Sequence, residues 1–208
     1  MVQAVAEKGY AHVAVADVVE RAAVSRKTFY EQFANKEECF MAAYDAGVDR
    51  LLATIDGALA EPTPDWLTAV RRAVEVYLAS MAASPAFARA CLIEVLGAGP
   101  AALARRDVVQ SRFADQLAAI HRRARADIPD IPELPPTTFR AAVGAVNELV
   151  TAHVLEHGAE TLAALTDPIL DVHLALLVGR ELASRIATPP NASPTEPEIS
   201  AIRTRGRT

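Results

Sequence analysis

The stretch "VSRKTFYEQFANKEECF", residues 24–40, concentrates basic and aromatic side chains in a chain that is otherwise acidic and poor in aromatics. It holds three basic and four aromatic residues, whereas the whole chain of 208 residues has a formal charge of −5 and only 5% aromatic residues. From residue 21 to residue 36, four basic side chains outnumber one glutamate, which gives a local charge of +3. An acidic protein that binds nucleic acid needs a local basic patch of this kind.

The same stretch carries the signals of a short helix over residues 26–33. The Ser25 hydroxyl can accept a hydrogen bond from the free backbone amides at the start of such a helix. Phe29 and Phe33 are four residues apart, so they share one helix face, and we expect both to be buried. Asn35 repeats the capping signal and predicts that a further helix begins at residue 36.

A second short helix is predicted immediately before this one. Val15, Val18, Val19 and Ala22 have the spacing of one helix face, and a tight turn at residues 23–24 separates the two helices. Two short helices joined by such a turn predict a helix-turn-helix, in which the second helix enters the major groove of DNA. The exposed face of that second helix would carry Arg26, Lys27 and Tyr30.

The segment "GYAHVAVADVVERAAVSRKTFYEQFANKEECFMAAYD", residues 9–45, resembles the TetR family of bacterial one-component transcriptional regulators. The likeness rests on the Gly-aromatic end of helix one, the Val-x-Asp-Val second helix, the Val-Ser turn, the Thr-Phe-Tyr recognition helix and the Phe-x-Asn-Lys-Glu entry to helix four. It covers about a fifth of the chain. The resemblance implies a homodimer whose C-terminal domain binds a small-molecule inducer and then releases a palindromic operator in double-stranded DNA.

The resemblance also implies which residues contact DNA. Arg26, Lys27 and Thr28 would meet base edges and nearby phosphates, while Tyr30 and Lys36 would hold the sugar-phosphate backbone. Gln32 stands where the family more usually has His or Tyr, and we expect it to alter a base or phosphate contact. Surface cations are ordinary when taken singly, but the combined Ser-x-x-Thr-Phe-Tyr context favours DNA contact over a merely solvated face.

Three departures from the family pattern stand out. Val13 and Ala14 occupy positions where the family commonly has hydroxyl residues, so the usual cap of helix two and its phosphate contact are missing. Ala23 occupies the turn position that glycine usually holds, although glycine adopts such turns more readily. Only eight residues precede Gly9, so we expect a shortened first helix, from a truncated chain or a mis-assigned start.

The remainder of the chain reads as helix nearly throughout, without strand alternation, so the sequence predicts an all-α protein. Four pairs in which a cap or break precedes a proline predict helix starts: residues 63–64, 84–85, 99–100 and 167–168. We expect three regions along the chain: a helix-turn-helix DNA-binding domain at 1–50, a helical ligand-binding and dimerisation domain at 51–187, and a disordered tail at 188–208.

Residues 169–186 are apolar around most of a helix circumference, which requires cover on nearly all sides. We expect a second subunit to provide that cover, through the helices at about 137–157 and 167–187. The candidates for ligand contact are polar residues embedded in apolar stripes: Tyr77, Glu94, His121 and Asn147. The alternative for each is a polar group paired inside the core or at the dimer interface. The predicted inducer is an apolar or mildly polar small molecule.

Other classes of protein find little support in the sequence. No apolar run reaches the ~20 residues that span a bilayer, and no signal core follows the N-terminus, so we expect a cytoplasmic protein that is not bound to membranes. Cys39 and Cys91 lack the spacing of a zinc site and the density of a disulfide scaffold. His153 and His157 are four apart but have no third ligand in the sequence, so no metal or cofactor is predicted.

Catalysis also lacks a signal, because the chain contains no Ser-His-Asp set, phosphate loop or paired acid motif. We therefore expect a regulator and not an enzyme. The alternative is a helical small-molecule-binding or enzymatic protein that has lost operator binding, which the short first helix and the missing caps would suit.

Overall fold

The computed structural model describes residues 1–179, and every regular element in that range is helical, which confirms the all-α prediction. The α-helices are α1 (Val2–Lys8), α2 (Val15–Ala22), α3 (Arg26–Gln32), α4 (Lys36–Ala60), α5 (Trp66–Ala82), α6 (Pro85–Leu92), α7 (Pro100–Asp127), α8 (Pro136–His157) and α9 (Thr166–Leu177). Single 3₁₀ turns at Glu94–Gly97 and Leu162–Leu165 precede α7 and α9. The predicted tail at 188–208 and the helix predicted over 180–187 lie outside the described residues.

The caps of α3 and α4 form as the sequence predicts. The Thr28 amide donates to Ser25 Oγ at 3.0 Å, and the Glu38 amide donates to Asn35 Oδ1 at 2.9 Å. Ala14 precedes α2 without a side-chain acceptor, and the Asp17 carboxylate instead accepts a hydrogen bond from the Ala14 amide at 2.8 Å. Only one half of a capping box is therefore present, because no side-chain acceptor at residue 14 serves the amides of the first turn.

The turn between α2 and α3 is built on a left-handed residue. Ala23 has φ 53° and ψ 40°, and within residues 1–179 it is the one residue other than glycine with a positive φ. A Cβ in this conformation crowds the following carbonyl, which is why glycine is usual there. The helix-turn-helix geometry is thus held at a small local cost in conformational energy.

We call α1, α2 and α3 the head. Val18, Val19, Phe29 and Cys39 form a small buried cluster that seats α3 against α2 and the start of α4. Phe33 is half-buried and not buried as predicted, because it lies just past the end of α3, where the backbone is already extended. Its ring still packs on Phe29, with ring centroids 5.6 Å apart.

Helices α4 to α9 form the larger domain. Pro85 and Pro100 are the first residues of α6 and α7, as predicted. Pro64 does not begin a helix, because Asp65 Oδ1 accepts from the Thr68 amide at 2.8 Å and so caps α5 at Trp66. Pro168 is the third residue of α9, since the 3₁₀ turn before it runs directly into that helix.

Helix α4 connects the head to the larger domain, and it passes without a break through the predicted boundary between residues 50 and 51. Helix α6 lies against it at Gly47, where an added Cβ would come within 2.1 Å of the Phe87 ring. Phe87 is buried at this crossing. Only a residue without a side chain allows the two helices to approach so closely.

None of the helices within residues 1–179 has the length and the apolar composition needed to cross a membrane.

Candidate DNA-binding head and ligand cavity

Helix α3 presents five of the six predicted DNA contacts on the surface of the head. Their side chains are all exposed: Arg26, Lys27, Thr28, Tyr30 and Gln32. The buried Phe29 anchors the helix from the opposite face, and its ring meets the Tyr30 ring edge-on at 5.3 Å between centroids. A short helix seated by one buried aromatic residue therefore holds a polar outer face in a fixed orientation.

The cations on this face are available for binding. Arg26 has no hydrogen-bond or ion-pair partner within residues 1–179, and the Lys27 ammonium lies 3.9 Å from the Glu31 carboxylate one turn away. Both members of that pair are more than half exposed, so it contributes little stability. The Thr28 hydroxyl lies 2.9 Å from Ser25 Oγ and is partly occupied by the cap.

Lys36, the sixth predicted DNA contact, is half-buried and bonds within the protein. Its Nζ donates to the Tyr10 carbonyl at 2.8 Å and lies 4.4 Å from the centroid of the Tyr10 ring. A lysine over an aromatic face gains a cation–π attraction as well as the hydrogen bond. Lys36 thereby ties the start of α4 to the turn after α1, and its contact with DNA stays a prediction.

Glu94 joins the head to the larger domain. Its Oε2 accepts from the Tyr10 amide at 2.8 Å, and its Oε1 accepts from Arg89 Nε at 3.1 Å. The Glu94 side chain is only 12% exposed, so this bridge is shielded from solvent. Tyr10 is therefore held by Glu94, just after α6, and by Lys36, at the start of α4. No feature of the local sequence indicated this role for Glu94.

The larger domain contains a cavity that encloses about 970 Å³ of empty space, part of it open to solvent. Side chains from α4 to α9 line it, and most of them are aliphatic or aromatic. Of the four predicted ligand contacts, Tyr77 and Asn147 line this large cavity, whereas Glu94 and His121 do not. A ligand-binding role remains a prediction for all four residues.

The cavity wall contains further polar residues that the sequence patterns did not predict as ligand contacts: Tyr44, Cys91, Arg106, Gln110, Gln116 and His173. Arg106 and Gln110 interrupt the apolar face of α7 at helical spacing, next to Val109 and Phe113, and this pattern could have indicated them. Tyr44 and Cys91 come from different helices, and only the fold brings them together.

Tyr44 and Cys91 act as neutral groups in the cavity. The Tyr44 hydroxyl donates to Cys91 Sγ, and burial raises the pKa of both, that of the Cys91 thiol to about 12. Burial also raises the pKa of the Tyr77 hydroxyl. Desolvation disfavours the charged form of each group, so none of the three supplies a negative charge at neutral pH.

Two histidines of the larger domain lie at the cavities: His173, half-buried, in the wall of the large cavity, and His121, buried, in the wall of a smaller one. Burial lowers the pKa of His173 to about 4, and its Nδ1 has no hydrogen-bond partner within residues 1–179. His121 borders a smaller adjoining cavity, and its Nε2 lies 3.1 Å from the Leu177 carbonyl. Because a carbonyl only accepts, Nε2 carries the proton and His121 holds the end of α9 in place.

His153 and His157 on α8, for which the sequence predicts no metal, both contact neighbouring side chains. His153 Nε2 lies 2.8 Å from the Thr161 hydroxyl, and the His153 and His157 rings stack edge-on at 4.9 Å between centroids. Throughout the described range, no three potential metal-ligating side chains come together.

A helix-turn-helix head, joined by one long helix to a cavity-bearing helical domain, defines a two-part all-α protein. Its residues 2–43 match the family model of bacterial regulatory proteins of the tetR family. Residues 2–43, the head and the start of α4, therefore carry the sequence pattern of the TetR family.

Similar proteins agree with that assignment. The HTH-type transcriptional regulator EthR of Mycolicibacterium smegmatis is 34% identical over 83 residues, which are 40% of this chain. The match spans only 38% of that relative's length. The fatty acid degradation regulator FadR from Bacillus halodurans has the same fold with a TM-score of 0.75 at 23% identity, over 84% of this chain and 90% of that one.

FadR from Bacillus subtilis, solved in complex with stearoyl-CoA, gives a TM-score of 0.74 at 19% identity, over 86% of this chain and 95% of that one. At these identities the two FadR structures establish the fold alone.

Proposed function

We propose that the protein is a ligand-responsive transcriptional regulator that binds a palindromic operator in double-stranded DNA as a homodimer. The observation that carries the proposal is the exposed face of α3, where Arg26 and Lys27 stand on a helix seated by the buried Phe29. The match of residues 2–43 to the tetR family model supports the same function. A protein that binds operator DNA in a bacterium acts in the cytoplasm.

The need for two copies follows from DNA geometry. Two recognition helices reach successive major-groove faces when they lie roughly 34 to 36 Å apart, so one head reads one half of a palindrome. The predicted dimer helices support this, because Leu155 on α8 is 60% exposed and Leu176 on α9 is 40% exposed. A second copy packed against α8 and α9 would remove both side chains from water.

The large cavity supports control by a small molecule. Its wall is mostly apolar and carries a few polar side chains, which is the usual composition of a ligand pocket in a protein. The Bacillus subtilis protein of similar fold was solved with stearoyl-CoA, a ligand that carries a long aliphatic chain. A ligand of comparable apolar character would suit the walls described here.

Two connections lead from the cavity to the head. Tyr44 in the cavity wall belongs to α4, whose first turns pack against the head through Cys39. Cys91 belongs to α6, which is followed by Glu94 and its hydrogen bond to Tyr10. A ligand that favours one position of α4 and α6 would shift the spacing of the two heads, and a few kcal/mol of differential affinity would release the operator. We propose repression relieved by an inducer on this basis.

The first experiment compares two double variants with the same loss of charge. Arg26→Ala/Lys27→Ala removes the exposed cations of α3, and Arg71→Ala/Arg72→Ala removes two cations of the larger domain that pair with Asp167 and Glu61. Each variant is titrated with DNA selected by genome-wide pull-down with the wild type. Only the α3 variant should lose affinity, and its salt dependence should be flatter because fewer counterions are released.

Equal binding by the wild type and the α3 variant would contradict the proposal. A wild type that binds ligand but prefers no DNA sequence would instead favour a helical small-molecule-binding protein without an operator.

A further inference from the structure

The wall of the large cavity contains one cation. Among the described residues that line it, Arg106 is the only charged side chain, because the pKa of His173 is far below neutrality and no aspartate or glutamate reaches the cavity. Arg106 is half-buried, and each part of a charged group that leaves water is costly unless an opposite charge accompanies it.

Neighbouring arginines of α7 differ from Arg106 in their partners. Arg105 pairs with Asp45 at 3.2 Å and Arg112 pairs with Asp49 at 2.8 Å, so both are neutralised by carboxylates on α4. Arg106 has no carboxylate within ion-pair distance in residues 1–179. Its partner is Gln110, whose side-chain oxygen, once the amide is turned towards the guanidinium, accepts from Nη2 at 2.9 Å and Nη1 at 3.1 Å.

Neutral hydrogen-bonding groups lie near this guanidinium. The positive charge of Arg106 lowers the pKa of both the Tyr44 hydroxyl and the Cys91 thiol, which partly offsets the larger effect of burial. The Gln110 amide is held beside the same guanidinium. Most of the remaining wall is apolar, although Tyr77, Gln116, Asn147 and His173 also line it; the apolar side chains include Phe113, Ile120, Val143, Val146 and Ile169. The cavity therefore has one cationic group with neutral polar groups beside it, and the rest of its wall is mostly apolar.

We propose that the ligand of this cavity is an aliphatic anion, whose negative group pairs with the Arg106 guanidinium while its chain lies along the apolar wall. The proposal rests on the function proposed above and narrows the ligand class from a generally apolar molecule to an amphiphile. A guanidinium binds carboxylate or phosphate oxygens through two parallel hydrogen bonds, and Gln110 leaves the remaining donors free for this. A neutral ligand of equal length would cover the cation without neutralising it.

Two chemical sources could supply the anion, and they share the same recognition. One is the carboxylate of a free fatty acid, and the other is a phosphate group of an acyl thioester of coenzyme A, whose thioester itself is neutral. The test uses dodecanoic acid, dodecanoyl-CoA and 1-dodecanol as probes of one chain length. Each is titrated by calorimetry into the wild type, Arg106→Gln and the control Arg105→Gln, without DNA.

The wild type should bind dodecanoic acid, dodecanoyl-CoA or both at least about 10-fold more tightly than 1-dodecanol. Arg106→Gln should weaken the binding of the preferred anion by about 10- to 100-fold, the range expected for a charge-assisted pair, and should leave 1-dodecanol unchanged. Arg105→Gln should leave all three affinities unchanged. Preference for the free acid identifies the carboxylate as the anion, and preference for the thioester identifies the phosphate.

The proposal is overturned if 1-dodecanol binds the wild type as tightly as the anions, if none of the three probes binds, or if Arg106→Gln retains the anion affinity. Arg106→Lys provides a second variant that keeps the charge, and it should retain more of the anion affinity than Arg106→Gln. If Arg106→Gln does not fold, the comparison of Arg106→Lys with the wild type tests the proposal. Lysine cannot make the bidentate contact, so Arg106→Lys should weaken the binding of the anion and leave the binding of 1-dodecanol unchanged.

These titrations separate this inference from the regulatory function. Anion selectivity that depends on Arg106, found in a protein without operator binding, would support the cavity inference and contradict the regulator. Operator binding by a protein whose cavity shows no anion selectivity would support the regulator and contradict the cavity inference.

Discussion

The head and the larger domain carry their candidate sites in opposite ways. In the head, a buried cluster of four side chains supports α3, and the candidate DNA contacts stand on its outer surface. In the larger domain, an extensive core surrounds an internal cavity, and the candidate ligand contacts come from helices far apart in the sequence. The position of α3 therefore depends on very few packed residues, although Ala4, Val5 and Val13 of the same region belong to the larger core.

This difference indicates which substitutions should reduce the stability of each region most. Loss of one side chain from a small cluster removes a large share of its packing, while a cavity wall already lacks partners on one side. Helix α4 links the two regions, and its contacts with α6, the packing of α1 in the larger core and the hydrogen bond from Tyr10 to Glu94 couple them.

The largest effect is expected in the head, from Phe29→Ala. Deleting a buried aromatic side chain typically costs about 3 to 5 kcal/mol, which is more than so small a cluster can lose, so DNA binding should disappear. The matched variant Phe113→Ala removes a ring that lines the cavity and is half-buried, and it should cost less stability. Urea unfolding and DNA titration of both variants measure this, and a smaller loss for Phe29→Ala than for Phe113→Ala would break the comparison.

The next effect concerns the link between the regions, at Gly47 on α4. Gly47→Ala should destabilise the protein by about 1 to 3 kcal/mol, because the new Cβ would overlap the Phe87 ring. Gly57→Ala on the same helix is the control, since nothing lies within 4 Å of its Cβ, and it should stabilise by about 0.5 to 1 kcal/mol. Thermal unfolding should move in opposite directions for the two variants, and Phe87→Leu should recover part of the loss at Gly47. Equal shifts for both glycines would show that α4 and α6 are not tightly joined.

A pH effect is expected in the larger domain, from His173. Burial lowers the pKa of His173 to about 4 in the folded chain, below the ordinary value of about 6.5, so the folded protein disfavours the proton. The unfolded chain takes up the proton below pH ~6.5, and stability should therefore fall as the pH drops from ~6.5 to ~4, by about 1 to 3 kcal/mol. Above pH ~6.5 the contribution is constant. Urea unfolding of the wild type and His173→Gln at several pH values measures it, and parallel profiles would exclude this source of acid sensitivity.

The smallest effect is expected at the turn of the head, from Ala23→Gly. Glycine removes the strain of a Cβ at φ 53° but makes the unfolded chain more flexible, so the net gain should be about 0.5 to 1 kcal/mol. Ala22→Gly, one residue earlier and inside α2, should instead cost up to about 1 kcal/mol. Thermal unfolding distinguishes the two, and a loss of stability in Ala23→Gly would mean that the turn gains from its alanine.

The sequence predicted the helix-turn-helix with its caps, because a cap, a turn residue and an i, i+4 aromatic pair act within a few residues of one another. It was wrong about Pro64, where the carboxylate of the next residue proved the stronger cap, and about the depth of Phe33, which lies beyond the end of its helix. It indicated Tyr77 and Asn147 as cavity candidates, since both interrupt apolar stripes.

Several features of the candidate ligand site could not be predicted from the sequence. Arg105 and Arg106 are adjacent and chemically identical, yet the first pairs with Asp45 and the second faces the cavity. The choice between them depends on where α4 and α5 lie beside α7. Glu94 and Tyr10 are 84 residues apart, and no local pattern specifies that one accepts a hydrogen bond from the other.

The sequence by itself determined the resemblance to the TetR family, the helical class and the exposed face of α3, because these depend on hydrogen bonds and side-chain spacing within one or two helical turns. Only the tertiary structure decided the cavity, the inward position of Arg106 and the bridge from Glu94 to Tyr10. Those features arise where helices distant in the sequence are packed together, and the packing is set by the fit of many side chains at once. The sequence of one helix determines which side chains lie on each of its faces, but not which neighbouring helix will pack against them.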